Sequence, residues 1–186
     1  MITDQELVIL LRQKNEEAFR QLFLDYKDLI YNTALNLVQN DHDASDILQD
    51  VFVEVFQSIT TFKEKSALST WIYRICVNKS LMVLRKRRRF SRFSFFDSPS
   101  KGTNYNEPVN WVHPGVIAEN KENARLLYQA IAKLPDKYRV SFTLFHIDEL
   151  SQKQIAEITK QSISAVETQI FRAKKILAEA IGTIAK

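Results

Sequence analysis

Apolar residues in this chain recur at three- and four-residue intervals, a spacing that places them along one side of an α-helix. Phe19, Leu22, Phe23, Tyr26, Ile30, Ala34 and Leu37 form one such series, opened by Asn15 as a cap and closed at Gln39-Asn40-Asp41. A second series follows Asp41 or Asp43 as cap, with Ala44, Ile47, Leu48, Val51, Phe52, Val55 and Phe56 inward. Ahead of both, Thr3 and Glu6 have capping-box spacing and predict a short first helix ending near Gln13. Helical spacing resumes near Ala118: Ala124, Leu127, Ala130, Ile131 and Leu134 share a face that stops at Leu134-Pro135, and a further helix spans Asp136 to Phe145. Ser151-Gln-Lys-Gln154 predicts a second capping box, on a short helix carrying Ile155, Ala156 and Ile158. Ser162 then caps a long helix with Val166, Ile170, Ala173 and Leu177 inward. Only 3 Gly and 4 Pro in 186 residues leave few places to break helices, so the expected class is all-α.

The stretch Ser69 to Arg89 predicts a helix of a different kind. Ile72, Ile75, Cys76, Met82 and Val83 are read as its packing side, and Tyr73, Arg74, Asn78, Lys79, Arg85 and Arg89 as its open side. Asn pairs with base edges, Arg and Lys attract phosphates, and Trp71 and Tyr73 offer flat faces for an unpaired base. Arg85 to Arg89 are consecutive cations, Arg88 among them, which repel one another along a helix unless a polyanion offsets them. The preceding segment, from Ser58 to Thr70, is rich in small hydroxyls; Ser66 or Ser69 is the expected cap, and a loop of small polar residues beside Trp71 suits a pocket for an extruded base.

Charge divides the chain into regions with different partners. The net charge is +4, yet no Lys or Arg occurs between Asn40 and Gln57, where Asp46, Gln49, Asp50 and Glu54 form an outer strip. Asp41 and Asp43 lie close enough to the helix start to complement its dipole, whereas Asp50 and Glu54 lie beyond that reach. Such a strip repels DNA and suits docking to a basic protein surface. After Arg89 the periodicity is lost. Residues 90–117 hold Phe90, Phe93, Phe95 and Phe96 among polar residues and prolines, and are read as an irregular linker between helical domains at 1–89 and 118–186. Its aromatics suit a groove on a partner better than free solvent.

In the second domain, a short helix, a tight polar turn and a longer helix starting at Ser162 make the helix-turn-helix pattern. Ser164, Glu167, Thr168, Phe171, Arg172 and Lys175 fall on the open side, where a major groove can receive them. Covalent chemistry is not expected. The His residues at 42, 113 and 146 are scattered, the lone Cys76 sits on an apolar face with no organised base, and no cofactor or metal site is predicted. A single Cys excludes an intramolecular disulfide framework and fits a reducing compartment. The start, Met-Ile-Thr-Asp-Gln-Glu, has neither a cationic opening nor a long apolar run, so no signal peptide or membrane span is expected.

Several of these stretches together resemble a known family. Ala44-Ser-Asp-Ile-Leu-Gln-Asp-Val-Phe52, the Phe62 to Arg89 segment with Ser-Thr-Trp-Ile-Tyr-Arg-Ile and Asn78, Leu134-Pro-Asp-Lys-Tyr-Arg139, Gln154-Ile-Ala-Glu and Val166-Glu-Thr-Gln-Ile-Phe-Arg-Ala-Lys174 occur in the order found in bacterial RNA polymerase sigma factors of the extracytoplasmic-function (ECF) type. The resemblance implies a region 2 helical bundle and a region 4 helix-turn-helix, acting in the bacterial cytoplasm with core RNA polymerase and with double-stranded and melted promoter DNA. It further implies an anti-sigma factor as partner, and neither a small-molecule substrate nor membrane insertion. Asp46, Gln49, Asp50, Phe52 and Glu54 then correspond to the polymerase-binding surface. Phe62, Lys63, Ser66, Ser69, Trp71, Asn78 and Lys79 correspond to the part that melts the downstream element and captures a flipped base, with Tyr73, Arg74, Arg85 and Arg88 beside them. The helix from Ser162 corresponds to the reader of the upstream, minus-thirty-five element, and the linker to a segment threading the polymerase channels.

The chain departs from the family at specific positions. Glu167 stands where members often carry a cation; a carboxylate there repels phosphate but accepts from a cytosine amino group, which implies a changed upstream motif. Lys160 occupies a turn position that favours Gly, and Met82 replaces a common Asp. A stand-alone helix-turn-helix repressor would account for Ser151 to Lys175 but not for the acidic strip. A nucleic-acid-processing enzyme would need carboxylates clustered around the basic run.

Overall fold

Helix boundaries in the computed structural model, which describes residues 3–94 and 121–184, follow from side-chain caps and from the scarcity of glycine. The elements are α1 (Asp4–Arg12), α2 (Glu16–Val38), α3 (Asp41–Ser58), a 3-10 turn (Ile59–Thr61), α4 (Leu68–Ser94), α5 (Lys121–Lys133), α6 (Asp136–His146), α7 (Gln152–Thr159) and α8 (Ile163–Ile184). Both capping boxes form: Glu6 N–H donates to Thr3 Oγ1 at 3.3 Å and Thr3 N–H to Glu6 Oε2 at 2.8 Å, with the same reciprocity between Ser151 and Gln154. Asn15 caps α2 and Ser162 accepts from Ala165 N–H at 3.2 Å. Two expected caps are corrected. Asn40, rather than Asp41 or Asp43, opens α3 by accepting from Asp43 N–H at 2.9 Å. α4 begins at Leu68, so Ala67 precedes it in place of Ser66 or Ser69.

Left-handed backbone is supplied by Lys14, Gln39, Glu64, Glu149 and Lys160, with no described glycine at positive φ. Each such non-glycine costs on the order of 1 kcal/mol, so packing on either side must hold it. Lys160, at φ 55°, makes the turn between α7 and α8 as the sequence implied.

Three apolar clusters hold the helices. Leu7 and Leu11 of α1, Leu22 and Ile30 of α2, Ile47 and Val55 of α3 and Ile72 and Cys76 of α4 form the core of the first half. Ala130, Ile131 and Leu134, contributed by α5 and its C-terminal end, pack on Ala173 and Leu177 of α8. The remaining cluster joins the halves: Leu37, Tyr73 and Val77 meet Val140, Leu144, Ile155, Ile158, Val166 and Ile170. Full burial of each Leu or Ile contributes roughly 1.5–3 kcal/mol.

This joining cluster explains where the expected helix faces differ. Tyr73, expected on the open side of α4, is 5% exposed, while Met82, expected inward, is 62% exposed. α4 buries one face on α2 and α3 and a second on α6 and α7, and a helix with two covered faces breaks a one-stripe reading. Phe23 and Phe56, also expected inward, are 43% and 47% exposed at the edge of the α2–α3 contact, where they meet Phe52 and Phe19 at centroid distances of 4.9 and 4.8 Å. α4 runs past Arg89 to Ser94, so the expected linker begins as helix; residues 95–120, including Phe95 and Phe96, lie outside the described residues.

Candidate nucleic-acid and polymerase interfaces

The helix-turn-helix is set by α6, α7 and α8. Ser141 Oγ donates to Gln169 Oε1 at 2.6 Å, fixing α6 on α8, and Ile155, Ile158, Val166 and Ile170 are buried between them. With that face committed, Ser164, Glu167, Thr168, Phe171, Arg172 and Lys175 are all exposed, and Phe171 reaches 69%. The structure therefore brings together the whole expected upstream set on one side of α8. Thr168 Oγ1 donates back to Ser164 O at 2.9 Å. Arg172 Nη1 donates to the Tyr138 hydroxyl at 3.2 Å, a contact that also lowers the Tyr138 pKa from its ordinary value.

On α3, Asp46, Gln49 and Asp50 are exposed, and Phe52 and Glu54 are half-buried. Lys79 of α4 reaches this strip from the side, 3.0 Å from Glu54 and 3.9 Å from Asp50, so the acids that looked unopposed in sequence are partly neutralised in space. The exposed apolar residues Phe23, Val53 and Phe56 lie on α2 and α3 as well, making this surface mixed rather than purely acidic. His42 Nδ1 lies 3.2 Å from Asp46, near Asp43, but Asp43 is held by Arg87, whose charge opposes a cation there.

The downstream set divides into four groups, apart from Lys79, which is held against α3 as described above. Lys63, Asn78 and Arg85 are exposed, and Ser66, Ser69 and Trp71 are half-buried. Phe62 is buried and stacks on Trp71 at 5.1 Å between centroids. Tyr73, Arg74 and Arg88, in contrast, are engaged by the second half: Tyr73 is buried in the cluster with Val140, Leu144 and Ile155, Arg74 Nη2 donates to Glu157 O at 2.7 Å, and Arg88 pairs with Asp136.

Sequence reasoning did not identify the polar part of this inter-half contact. Thr33 Oγ1 donates to Asp148 Oδ2 at 2.9 Å, and burial raises the Asp148 carboxyl to about 6. Arg139 is buried and donates to Leu37 O at 2.9 Å and Leu134 O at 3.1 Å; burial lowers its pKa. No local signal marked Arg139, since Arg is seldom buried and its partner Leu37 O lies 102 residues away in sequence. Cys76 is buried on Ile30 O at 3.6 Å and pushed up to about 12 by burial, which keeps it in the unreactive thiol form.

Residues 22–90 match the family model for sigma-70 region 2 and residues 124–177 that for sigma-70 region 4. The chain is 33% identical over 171 residues to the ECF RNA polymerase sigma factor SigW of Bacillus subtilis strain 168, covering 89% of this chain and 90% of that one. It is 29% identical over 187 residues to the ECF RNA polymerase sigma-E factor of Escherichia coli strain K12, covering 95% and 93%. Its fold is similar to that of CnrH, solved in complex with the cytosolic domain of CnrY, at a TM-score of 0.69 and 23% identity over 97% of each chain. It is similar also to the sigma factor RpoE of Bartonella quintana, solved in complex with the anti-sigma factor NepR, at a TM-score of 0.68 and 20% identity over 88% of this chain and 96% of that one. A helical half that matches region 2 joined to a helix-turn-helix half that matches region 4 defines a transcription initiation factor of the sigma-70 class. The chain belongs to the ECF sigma factors of that class. It binds core RNA polymerase and directs promoter-specific initiation, recognising an upstream element and melting a downstream one. No described helix is long and apolar enough to cross a membrane.

Proposed function

We propose that the three surfaces divide this activity between them. The outer face of α3, through Asp46, Gln49, Asp50, Phe52 and Glu54 with Phe23, Val53 and Phe56 beside it, docks on core polymerase. The loop 62–69 with Trp71, Asn78 and Lys79 holds an unpaired base of the downstream element, and the exposed face of α8 reads the upstream element. The observation that carries this is the free face of α8: six residues of DNA-reading type share it, and none belongs to the buried core. The boundaries 1–89, 90–117 and 118–186 remain the proposed division of the chain.

The protein acts by binding alone, in the bacterial cytoplasm where polymerase and promoter meet. Unstacking costs a few kcal/mol per flipped base, and aromatic stacking of ~1–3 kcal/mol with phosphate contacts offsets it. In the structure Tyr73 is buried against the second half and Arg74 and Arg88 are tied to it, so Tyr73 reaches DNA only when the halves part and the two arginines must give up these contacts. A partner that holds the halves together would therefore inhibit the factor, and an anti-sigma factor fits that role, as the complex of the similar RpoE with NepR suggests.

Run-off transcription by sigma-free core polymerase on a library of promoter fragments, with and without the protein, tests the reading. Initiation dependent on the protein, with preferences at two separated elements, is the expected result. Operator binding by the isolated chain as a dimer, without initiation, would replace it with the repressor reading.

A further inference from the structure

The region 2 match begins at residue 22, so α1 lies outside it. Yet α1 grips the loop assigned above to base capture. Arg12 Nη2 donates to Phe62 O at 2.6 Å and lies 2.7 Å from Glu64 Oε1. One guanidinium thereby fixes two loop residues, and Glu64 is held in a left-handed conformation, φ 54°, that a non-glycine residue adopts only under constraint. Nearby, Lys14 reaches Phe56 O and lies 3.8 Å over the Phe56 ring, anchoring the same end of α1 to α3.

A cavity of about 360 Å³ opens between the N-terminal turns of α1 and this loop, lined by Asp4, Gln5, Val8, Phe62, Ser66 and Leu68 among others. Its volume is at the low end for small-ligand clefts, the scale of a single planar group. The floor is apolar, since Val8, Phe62 and Leu68 are all buried. Asp4 and Glu64 at the wall are offset by Lys65 of the same lining and by Arg12 on Glu64, and the carboxylate, amide and hydroxyl groups present match the edge of a base. The capping box at Thr3 and Glu6 fixes the turn that presents Asp4 and Gln5.

We propose that this cavity, whose lining does not include Trp71, Asn78 or Lys79, receives an unpaired base of the downstream element on the α1 side of the loop, and that Arg12 is its positioning residue, holding the loop 62–68 at the separation the base requires. The proposal rests on the assignment of this loop to base capture. Arg12 touches no DNA in this scheme; it acts through Phe62 and Glu64.

The test uses full-length protein with core polymerase. For Arg12→Ala, initiation on a duplex promoter library should fall roughly tenfold or more, the scale of one lost hydrogen bond to a charged group, with base preference flattened at one downstream position. Core-polymerase affinity and upstream preference should be unchanged. Both contacts are made by the one nitrogen Nη2, so Arg12→Lys, whose ammonium carries three donors, should recover much of the activity. Gln5→Ala, on an exposed wall residue that leaves the core intact, should alter preference at that same position. Loss of core affinity in parallel with activity, or unchanged base preference in both Arg12→Ala and Gln5→Ala, would overturn the proposal. Absence of any downstream base preference in the wild type would instead defeat the base-capture assignment itself.

Discussion

Replacing Asp148 by asparagine should strengthen the contact between the halves at neutral pH and flatten its pH dependence. Asp148 follows α6 and faces Thr33 of α2 and Tyr73 and Cys76 of α4, all uncharged groups at neutral pH. Burial moves its carboxyl from 3.8 to about 6, against a smaller opposing effect of the Thr33 hydrogen bond. At 1.36 kcal/mol per pKa unit, a shift of about two units means that ionised Asp148 weakens the packed form by about 3 kcal/mol. Between pH 3.8 and about 6 the packed chain binds more protons than the unfolded one, so stability falls as pH rises through that window and levels off above it. Asn keeps an oxygen to accept from Thr33 and carries no charge. The Asp148→Asn chain should therefore be up to about 3 kcal/mol more stable near pH 7.5 and nearly equal to wild type near pH 4. Urea unfolding across that range measures the difference, and a fluorophore pair on α3 and α8 reports whether the halves stay together. Equal pH slopes in the two proteins, or no gain near neutral pH, would refute the reasoning.

Other outcomes follow from single contacts. Glu167→Ala should change which bases are preferred in the upstream element, read by selection from a promoter library, because the carboxylate is exposed at the reading face. Asp50→Lys should weaken core-polymerase binding, with a larger effect at low salt, as measured by competition for core enzyme; an unchanged affinity would remove the acidic strip from that interface. Ile155→Ala, at a fully buried position between the halves, should cost about 2–5 kcal/mol in urea unfolding.

Helices and their limits were legible because the determinants are local. Thr3 with Glu6 and Ser151 with Gln154 carry their caps within four residues, and α8 shows a single apolar stripe, so its exposed face followed directly. The two covered faces of α4 were not legible. Tyr73 looked like a ligand platform because the helix that buries it, α7, lies some eighty residues away in sequence. Asp148 is similar: between Ile147 and Glu149 it reads as an ordinary turn acid, and only the approach of α2 and α4 deprives it of water. The acidic strip misled in the opposite direction, since Lys79, which partly neutralises it, belongs to another helix.

Arg139 sits on the seam between the halves in an asymmetric way. One of its carbonyl partners, Leu37 O on Nη1, belongs to the first half, whereas Ala132 O and Leu134 O on Nη2 belong to its own, so separation keeps two of its three hydrogen bonds and opens the rest of the guanidinium to water. Asp148 regains hydration in the same movement. Arg139 and Asp148 thus oppose separation little, which leaves the apolar contact and the cross-half bonds of Arg74, Arg88 and Gln39 to be overcome. Any ligand of the parted form then meets a conformational toll: its apparent dissociation constant is divided by the parted fraction, so each 1.4 kcal/mol of closure weakens it about tenfold. How readily promoter DNA is engaged becomes a tunable property of residues that never touch it.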